Sequence, residues 1–193
     1  IKMLRKIRSL VSDSSFIQIY DNALSKKECD ILINQFEKSD LVDWGHVASG
    51  YRPEAKKCRQ LTCYFSNNDI FSNIVGPVLR SYVDKYSKKY SSLFYADAWK
   101  YYNGYSFQKY EDETQGYKAW HGEHSKLRPW RIMAWMFYLN DAKSGTEFMH
   151  FPTINARRGR LVIWPAFWTH THTGVIPNKG VKYIITGWVS FLE

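Results

Sequence analysis

From Leu93 onward the chain is written in short runs rich in β-branched and aromatic residues, separated by turn formers. The runs cover residues 96–102, 105–110, 130–138, 146–150, 160–164, 170–176 and 183–191. Strands this short and this evenly punctuated bury their apolar faces only by stacking antiparallel sheets, so the C-terminal half reads as a sandwich or barrel. Before it the pattern is mixed. Residues 16–20 read as a short, mostly buried strand, and 21–24 as a turn. Ser25 with Glu28 three residues on forms a capping box. The helix that follows, 26–38, carries Cys29, Leu32, Ile33 and Phe36 on one side. Residues 41–59, with Gly45, Gly50 and Pro53, read as a loop, and 60–65 as a strand. Residues 68–90 read as a second helix with Ile70, Ile74, Leu79, Tyr82, Val83 and Tyr86 inward and a kink at Gly76–Pro77. The expected class is α+β. We expect one domain over residues 1–193, with a strand and helices in 1–92 and most of the β core in 93–193.

Composition narrows the class further. Aromatic residues make up 17% of the 193 and hydrophobic residues 45%, which excludes a disordered chain. The length is enough for a sizeable core. No apolar run approaches the ~18 residues of a membrane-spanning helix. Residues 1–15 carry Lys2, Arg5, Lys6 and Arg8 with no apolar stretch after them, so no secretory signal is visible and the expected location is cytoplasmic. The cysteines Cys29, Cys58 and Cys63 suit ordinary thiols in a reducing compartment. Lysine and arginine number 27 against 18 acidic residues, a net charge of +9. The basic residues are spread over 2–8, 52–59, 80–89 and 157–160. That spread suits a solvated surface and also admits a nucleic-acid partner. It indicates no membrane partner and says nothing of oligomeric state.

Five of the six histidines fall in the β-rich half: His121, His124, His150, His170 and His172. In His121-Gly122-Glu123 the outer residues are two apart, and on a strand such positions face the same side. An imidazole and a carboxylate placed so can grip one metal ion. A second imidazole, from His170 or His172 about fifty residues on, would complete the two-His, one-carboxylate set of non-haem Fe(II) oxygenases. Taken alone, the H-x-E motif is a weak signal, since an exposed His beside a Glu is usually only a polar surface pair.

The neighbouring motifs add an ordered pattern. Tyr110 precedes a hairpin with Gly116 and Tyr117, then His121-x-Glu123. Phe137-Tyr138-Leu139-Asn140, Gly145-Thr146-Glu147-Phe148, Gly159-Arg160-Leu161-Val162-Ile163-Trp164, His172-Thr173-Gly174 and Lys182-Tyr183-Ile184-Ile185-Thr186-Gly187-Trp188 follow in turn. Over residues 95–191 this series resembles the Fe(II)- and 2-oxoglutarate-dependent dioxygenases of the prolyl 4-hydroxylase-like branch. The resemblance implies a double-stranded β-helix core, jelly-roll and cupin-like, with N-terminal supporting helices. It implies an enzyme that hydroxylates an aliphatic C–H and releases succinate and CO2, with Fe(II) and 2-oxoglutarate as cofactors and ascorbate as a candidate reductant.

The same resemblance implies residue roles. His121, Glu123 and His172 would be the catalytic metal ligands. In the family a basic residue follows the distal histidine by about ten positions. Lys182 is ten after His172 and twelve after His170, which favours His172, with His170 as the alternative. A hairpin through Gly174 to Gly180 would return Lys182 beside His172. Lys182 would anchor the far carboxylate of 2-oxoglutarate, with Tyr110, Tyr138 and Thr186 as further cosubstrate contacts and Trp188 as wall. The carboxylate ligand in the family is usually Asp, so Glu123 is a departure. The substrate implied is a prolyl or other peptidyl side chain. The segment 42–59 stands where relatives carry a lid, making Tyr51 and Arg52 candidate substrate contacts, and 125–130 would form another wall, with Trp130 a third. His46, His124 and His150 read as loop, polar surface and barrel mouth. Rival readings are a nucleic-acid-directed oxygenase or demethylase, a non-catalytic β-sandwich binding module, and a zinc enzyme on a similar barrel.

Overall fold

A computed structural model describes residues 15–66, 69–178 and 180–192. The basic run 2–8, nearly all of the 1–15 segment and position 68 of the second helix lie outside these residues.

Helix formation follows the local signals. Strand β1 (Gln18–Tyr20) leads into α1 (Lys26–Glu37), whose Ser25 side chain accepts from the Glu28 N–H while Glu28 reaches back to the Ser25 backbone. Such a cap contributes about 1 kcal/mol. Helix α1 buries Cys29, Leu32 and Phe36, as the spacing predicts. Helix α2 (Ile70–Lys89) is capped by Asp69 and runs through Pro77 without interruption. Its buried face is rotated from the expected one. Phe71, Val75, Leu79, Val83 and Tyr86 are inside, whereas Ile70 is exposed. Residues 41–59 are not all loop either, since they contain β2 (Asp43–Trp44) and β3 (Lys56–Lys57) before β4 (Arg59–Tyr64).

The β-rich half supplies β5 (Trp99–Tyr110), β6 (Gly116–Tyr117), β7 (Arg131–Tyr138), β8 (Gly145–Phe148), β9 (Ile154–Asn155), β10 (Arg160–Pro165), β11 (His172–Val175) and β12 (Lys182–Phe191). Two expected strands, 96–102 and 105–110, are one strand that passes through Gly104. The major sheet has the order β1-β10-β7-β12-β5-β4-β2, with antiparallel pairing throughout. A minor sheet has the order β11-β8-β9, and β3 pairs with β6. The N-terminal strands β1, β2 and β4 thus complete the major sheet. Strand β1 is its edge, so Ile19 is exposed at 46% where a mostly buried strand was expected.

Strand alternation divides the interior in two. On β7, Met133, Trp135 and Phe137 face the helices, where they pack with Phe36, Leu79, Val83 and Phe107. Ala134, Met136 and Tyr138 face the other way, toward Phe148, Trp164 and Ile184. With both faces covered, β7 is buried from Ile132 to Tyr138. Contacts across the second interior join the sheets: Tyr138 Oη lies 2.7 Å from Thr146 Oγ1, and the Phe148 and Trp164 rings meet edge-on at 5.7 Å. Two facing antiparallel sheets with helices on the outer face make a double-stranded β-helix, as the resemblance implied.

Candidate active site

The His121-Gly122-Glu123 segment does not lie on a regular strand. His121 makes a single bridge to His172, with its N–H donating to the His172 carbonyl at 3.0 Å and the reverse bond at 2.9 Å. Glu123 and His124 then donate to the Ala166 carbonyl at 3.0 and 2.8 Å. The loop is therefore hung between β11 and the end of β10. This pinning, rather than strand parity, turns both side chains of the motif inward.

His121, Glu123 and His172 converge, with one ligand atom from each all within 4.8 Å of one another. Glu123 Oε1 lies 3.7 Å from His121 Nε2 and 3.6 Å from His172 Nε2. His121 Nδ1 lies 2.9 Å from the Ala119 carbonyl and His172 Nδ1 lies 2.8 Å from the His170 carbonyl. A carbonyl only accepts, so each Nδ1 donates and each Nε2 turns a lone pair toward the common point. The other carboxylate oxygen, Glu123 Oε2, accepts from Trp188 Nε1 at 2.8 Å and from Arg131 Nη1 at 3.1 Å. Arg131 in turn stacks over the Trp188 ring, 3.4 Å from its centre. One oxygen is fixed and the other is free for a metal. Outer bonds of this kind orient metal ligands. Two imidazole lone pairs and one carboxylate oxygen fit a divalent transition ion with positions left open, the donor set of non-haem iron.

The electrostatics agree with that geometry. Burial alone would raise the Glu123 pKa, but whenever His121 or His172 takes up a second proton its bond and charge outweigh burial and hold the carboxyl well below the usual range. Burial pushes the His121 imidazole down, which favours the ring form with a bare Nε2. Tyr117 stacks on His121 with ring centres 3.7 Å apart, and Trp164 meets His172 edge-on at 5.2 Å.

His170 does not share this site. It ends a 3-10 turn (Trp168–His170), and its Nε2 is engaged by the Ser15 carbonyl at 2.7 Å. The strand begins only at His172, so His170 lies before it and is not held on the same face.

A cavity of about 230 Å³ opens beside the triad. Tyr110, Tyr138, Lys182 and Thr186 all line it. Strand β12 carries Lys182, Thr186 and Trp188 on its cavity face. Lys182 does not return beside His172 through a hairpin, because β12 pairs with β5 and β7 while β11 pairs with β8. Instead its ammonium reaches between the sheets, donating to the Val175 carbonyl at 3.0 Å and lying 4.7 Å from the Tyr110 ring centre. It is 3% exposed and has no carboxylate partner among the described residues. Burial lowers its pKa to about 8. Tyr110 donates its hydroxyl to Gln108 Oε1 at 2.6 Å, and Thr186 donates to the Trp135 carbonyl at 3.0 Å.

Other expected contacts lie elsewhere. Tyr51, Arg52 and Trp130 are not in the cavity lining. Tyr51 is 47% exposed and packs edge-on against His46. Arg52 pairs with Glu54, and Trp130 lies under the Arg128 guanidinium. His150 is exposed and outside the lining, and His124 stacks on Phe167. His46, Val47, Ala48 and Lys56 from the expected lid do reach the cavity, as do Ser125 and Arg128 from the expected wall.

Three roles escaped the sequence reading. Trp188 is wall, as expected, since it lines the cavity, and it also bonds Glu123. Its shared face with Lys182 was the available signal. Arg131 carries no such signal, because the register shifts between Val189 and Ser190 where β12 meets β7. Lys56 was assigned to a loop but lies on β3, opposite Tyr117.

Residues 84–190 match the family described as the 2OG-Fe(II) oxygenase superfamily. No curated protein matches the chain. Among solved structures, the chain is similar to the viral collagen prolyl hydroxylase of Paramecium Bursaria Chlorella virus-1 in complex with 2OG. The TM-score is 0.71 and the identity 18%, covering 93% of this chain and 98% of that one. It is similar to a Pseudomonas putida prolyl-4-hydroxylase, with TM-score 0.67 and 12% identity over 90% and 92% of the two chains. A Trichoplax adhaerens prolyl hydroxylase, in complex with a hypoxia inducible factor peptide fragment, gives TM-score 0.71 and 15% identity over 97% and 92%. At these identities the likeness establishes the double-stranded β-helix fold.

Proposed function

Because this chain belongs to the 2OG-Fe(II) oxygenase superfamily, and is thus a dioxygenase that uses Fe(II) and 2-oxoglutarate, we propose that it hydroxylates an aliphatic C–H of a peptidyl side chain, a prolyl ring being the leading case. His121, Glu123 and His172 hold the iron, and Lys182 holds the far carboxylate of 2-oxoglutarate. The observation that carries this reading is the convergence of two Nε2 lone pairs and one free carboxylate oxygen beside a buried lysine that lacks an anion.

With 2-oxoglutarate bound, the iron supplies oxygen activation coupled to decarboxylation of the cosubstrate to succinate and CO2. The protein's part is placement. The Ala119 and His170 carbonyls hold the imidazoles in the metal-binding tautomer. Trp188 and Arg131 hold Oε2, which leaves Oε1 turned toward the two imidazoles and available to a metal. Lys182 and the Tyr110 and Tyr138 hydroxyls orient the dicarboxylate, while Met136, Trp164 and Ile184 keep the floor dry. A peptide partner is supported by the fold shared with a prolyl hydroxylase held in complex with a peptide fragment.

Anaerobic titration with Fe(II) and then 2-oxoglutarate tests the site. A weak visible charge-transfer band is expected, and it is lost in His121→Ala and His172→Ala. Succinate release stimulated by proline-containing peptides, and not by free amino acids or oligonucleotides, tests the substrate. Stimulation by oligonucleotides alone would overturn the peptidyl reading.

A further inference from the structure

The cavity beside the triad carries more positive charge than its iron and cosubstrate can balance. Its described lining has four cationic side chains, Lys56, Arg128, Arg131 and Lys182, against one carboxylate, Glu123. That is an excess of three. Fe(II) brings two positive charges and 2-oxoglutarate two negative ones, so the loaded site keeps the whole excess. Arg131 is matched to Glu123 and Lys182 is assigned to the cosubstrate, which leaves Lys56 and Arg128.

Lys56 is the more telling of the two. It is 4% exposed. Its ammonium donates to the His46 carbonyl at 3.2 Å and to Gln60 Oε1 at 2.5 Å, both neutral acceptors. Among the described residues no carboxylate lies within 4.0 Å of it. An ammonium has three protons to give, so one donor remains for a ligand. Burial lowers the pKa of this ammonium from the ordinary lysine value, with Cys58 and Glu123 offsetting it only in part, so an incoming anion favours its charged form. Lys56 is also tied to the metal side of the cavity: its Nζ lies 5.7 Å from the centre of the Tyr117 ring, which stacks on His121. Arg128 donates to the Leu127 carbonyl and likewise makes no ion pair among the described residues. It closes the 125–128 turn at the cavity mouth, while Val47 and Gly50 close another turn there.

We propose that the substrate is an acidic peptide, whose carboxylate lies within one residue of the reacting C–H and seats on Lys56, with Arg128 at the entrance. This rests on the peptidyl reading above. Nucleic acid fits less well. A phosphate backbone follows exposed cations along a groove, whereas Lys56 sits inside a small cavity that a side-chain carboxylate reaches.

The test uses full-length protein loaded with Mn(II) and 2-oxoglutarate, so that binding is read without turnover. Labelled proline-centred peptides that differ only by Glu or Gln beside the proline are compared by fluorescence anisotropy. Wild type is expected to bind the Glu peptide at least about tenfold more tightly, as a desolvated charge pair allows. Lys56→Met is expected to cut that preference to about twofold and Lys56→Arg to keep most of it. Affinity of Lys56→Met for 2-oxoglutarate, which also reports its folding, should stay within about twofold of wild type. Equal binding of the two peptides by wild type overturns the proposal. So does a parallel loss of 2-oxoglutarate affinity in Lys56→Met, which would place Lys56 in the cosubstrate pocket. Lys56-dependent binding of a single-stranded oligonucleotide but not of the acidic peptide overturns it as well. With the iron enzyme, equal succinate release on both peptides would remove this proposal and leave peptidyl hydroxylation standing. A Glu preference in binding with no succinate release on either peptide would do the reverse.

Discussion

Trp188 Nε1 donates to Glu123 Oε2 at 2.8 Å, and that bond decides which oxygen of the carboxylate faces the two histidines. Replacing Trp188 by Phe keeps an aromatic ring against Arg131 but removes the donor. Metal affinity should fall about tenfold, the usual scale for loss of an outer-shell bond. Anaerobic Fe(II) or Mn(II) titration measures this. Unchanged affinity would mean that Arg131 alone fixes the carboxylate.

Glu123→Asp restores the carboxylate usual in the resembling family, yet it should weaken metal binding. The partners of Oε2 are spaced for the longer side chain. Shortening it by one methylene pulls Oε1 back from the histidines or breaks the bonds to Trp188 and Arg131. A loss of about tenfold or more is expected, comparable to removal of the outer shell. Affinity equal to or better than wild type, in the same titration, would show that the loop between Ala119 and Ala166 adjusts freely.

Lys182→Ala should weaken 2-oxoglutarate binding far more than iron binding, by a hundredfold or more, or about 3 kcal/mol for a buried charge pair. A pH dependence follows from the same residue. Burial brings its pKa down to about 8, so the unliganded protein loses this positive charge at mildly alkaline pH. Because the dianion needs the charged form, affinity should be flat below that pH and fall by about tenfold per unit above it. Lys182→Arg should remove the fall. A flat profile in wild type from pH 7 to 10 would exclude Lys182 as the anchor.

His170 and His172 should separate cleanly. His172→Gln removes a ligand atom and should abolish the Fe(II)/2-oxoglutarate absorption band. His170→Gln disturbs the bonds to the Ser15 carbonyl and Thr169 Oγ1 and the stack on Phe151, none of which touches the triad side chains. It should retain the band and cost about 1–2 kcal/mol in urea unfolding, the value of one or two buried hydrogen bonds. Loss of the band in His170→Gln would contradict the position of the 3-10 turn.

Residues spaced along one element were legible from the sequence. Ser25 and Glu28 announce the start of α1, because capping is a contact between residues three apart. Lys182, Thr186 and Trp188 announce one face of β12, because side chains alternate along a strand. The face of α2 was misread because Ile70 and Phe71 are both apolar, and only the sheet beneath selects Phe71. Residues 41–59 read as all loop because β3 is two residues long, and it exists only through its pairing with β6.

The sequence by itself determined the strand-rich C-terminal half, the capped first helix and the residue types of a two-histidine, one-carboxylate site, since these depend on propensity, periodicity and short spacing. Only the tertiary structure gathered His172 with His121 and Glu123 while turning His170 to the Ser15 carbonyl, gave Trp188 and Arg131 their hold on Glu123, and brought Lys56 from β3 into the cavity of β12. Each of those depends on pairing between segments dozens of residues apart. Such pairing is set by how the sheets register and pack, and no local pattern encodes it.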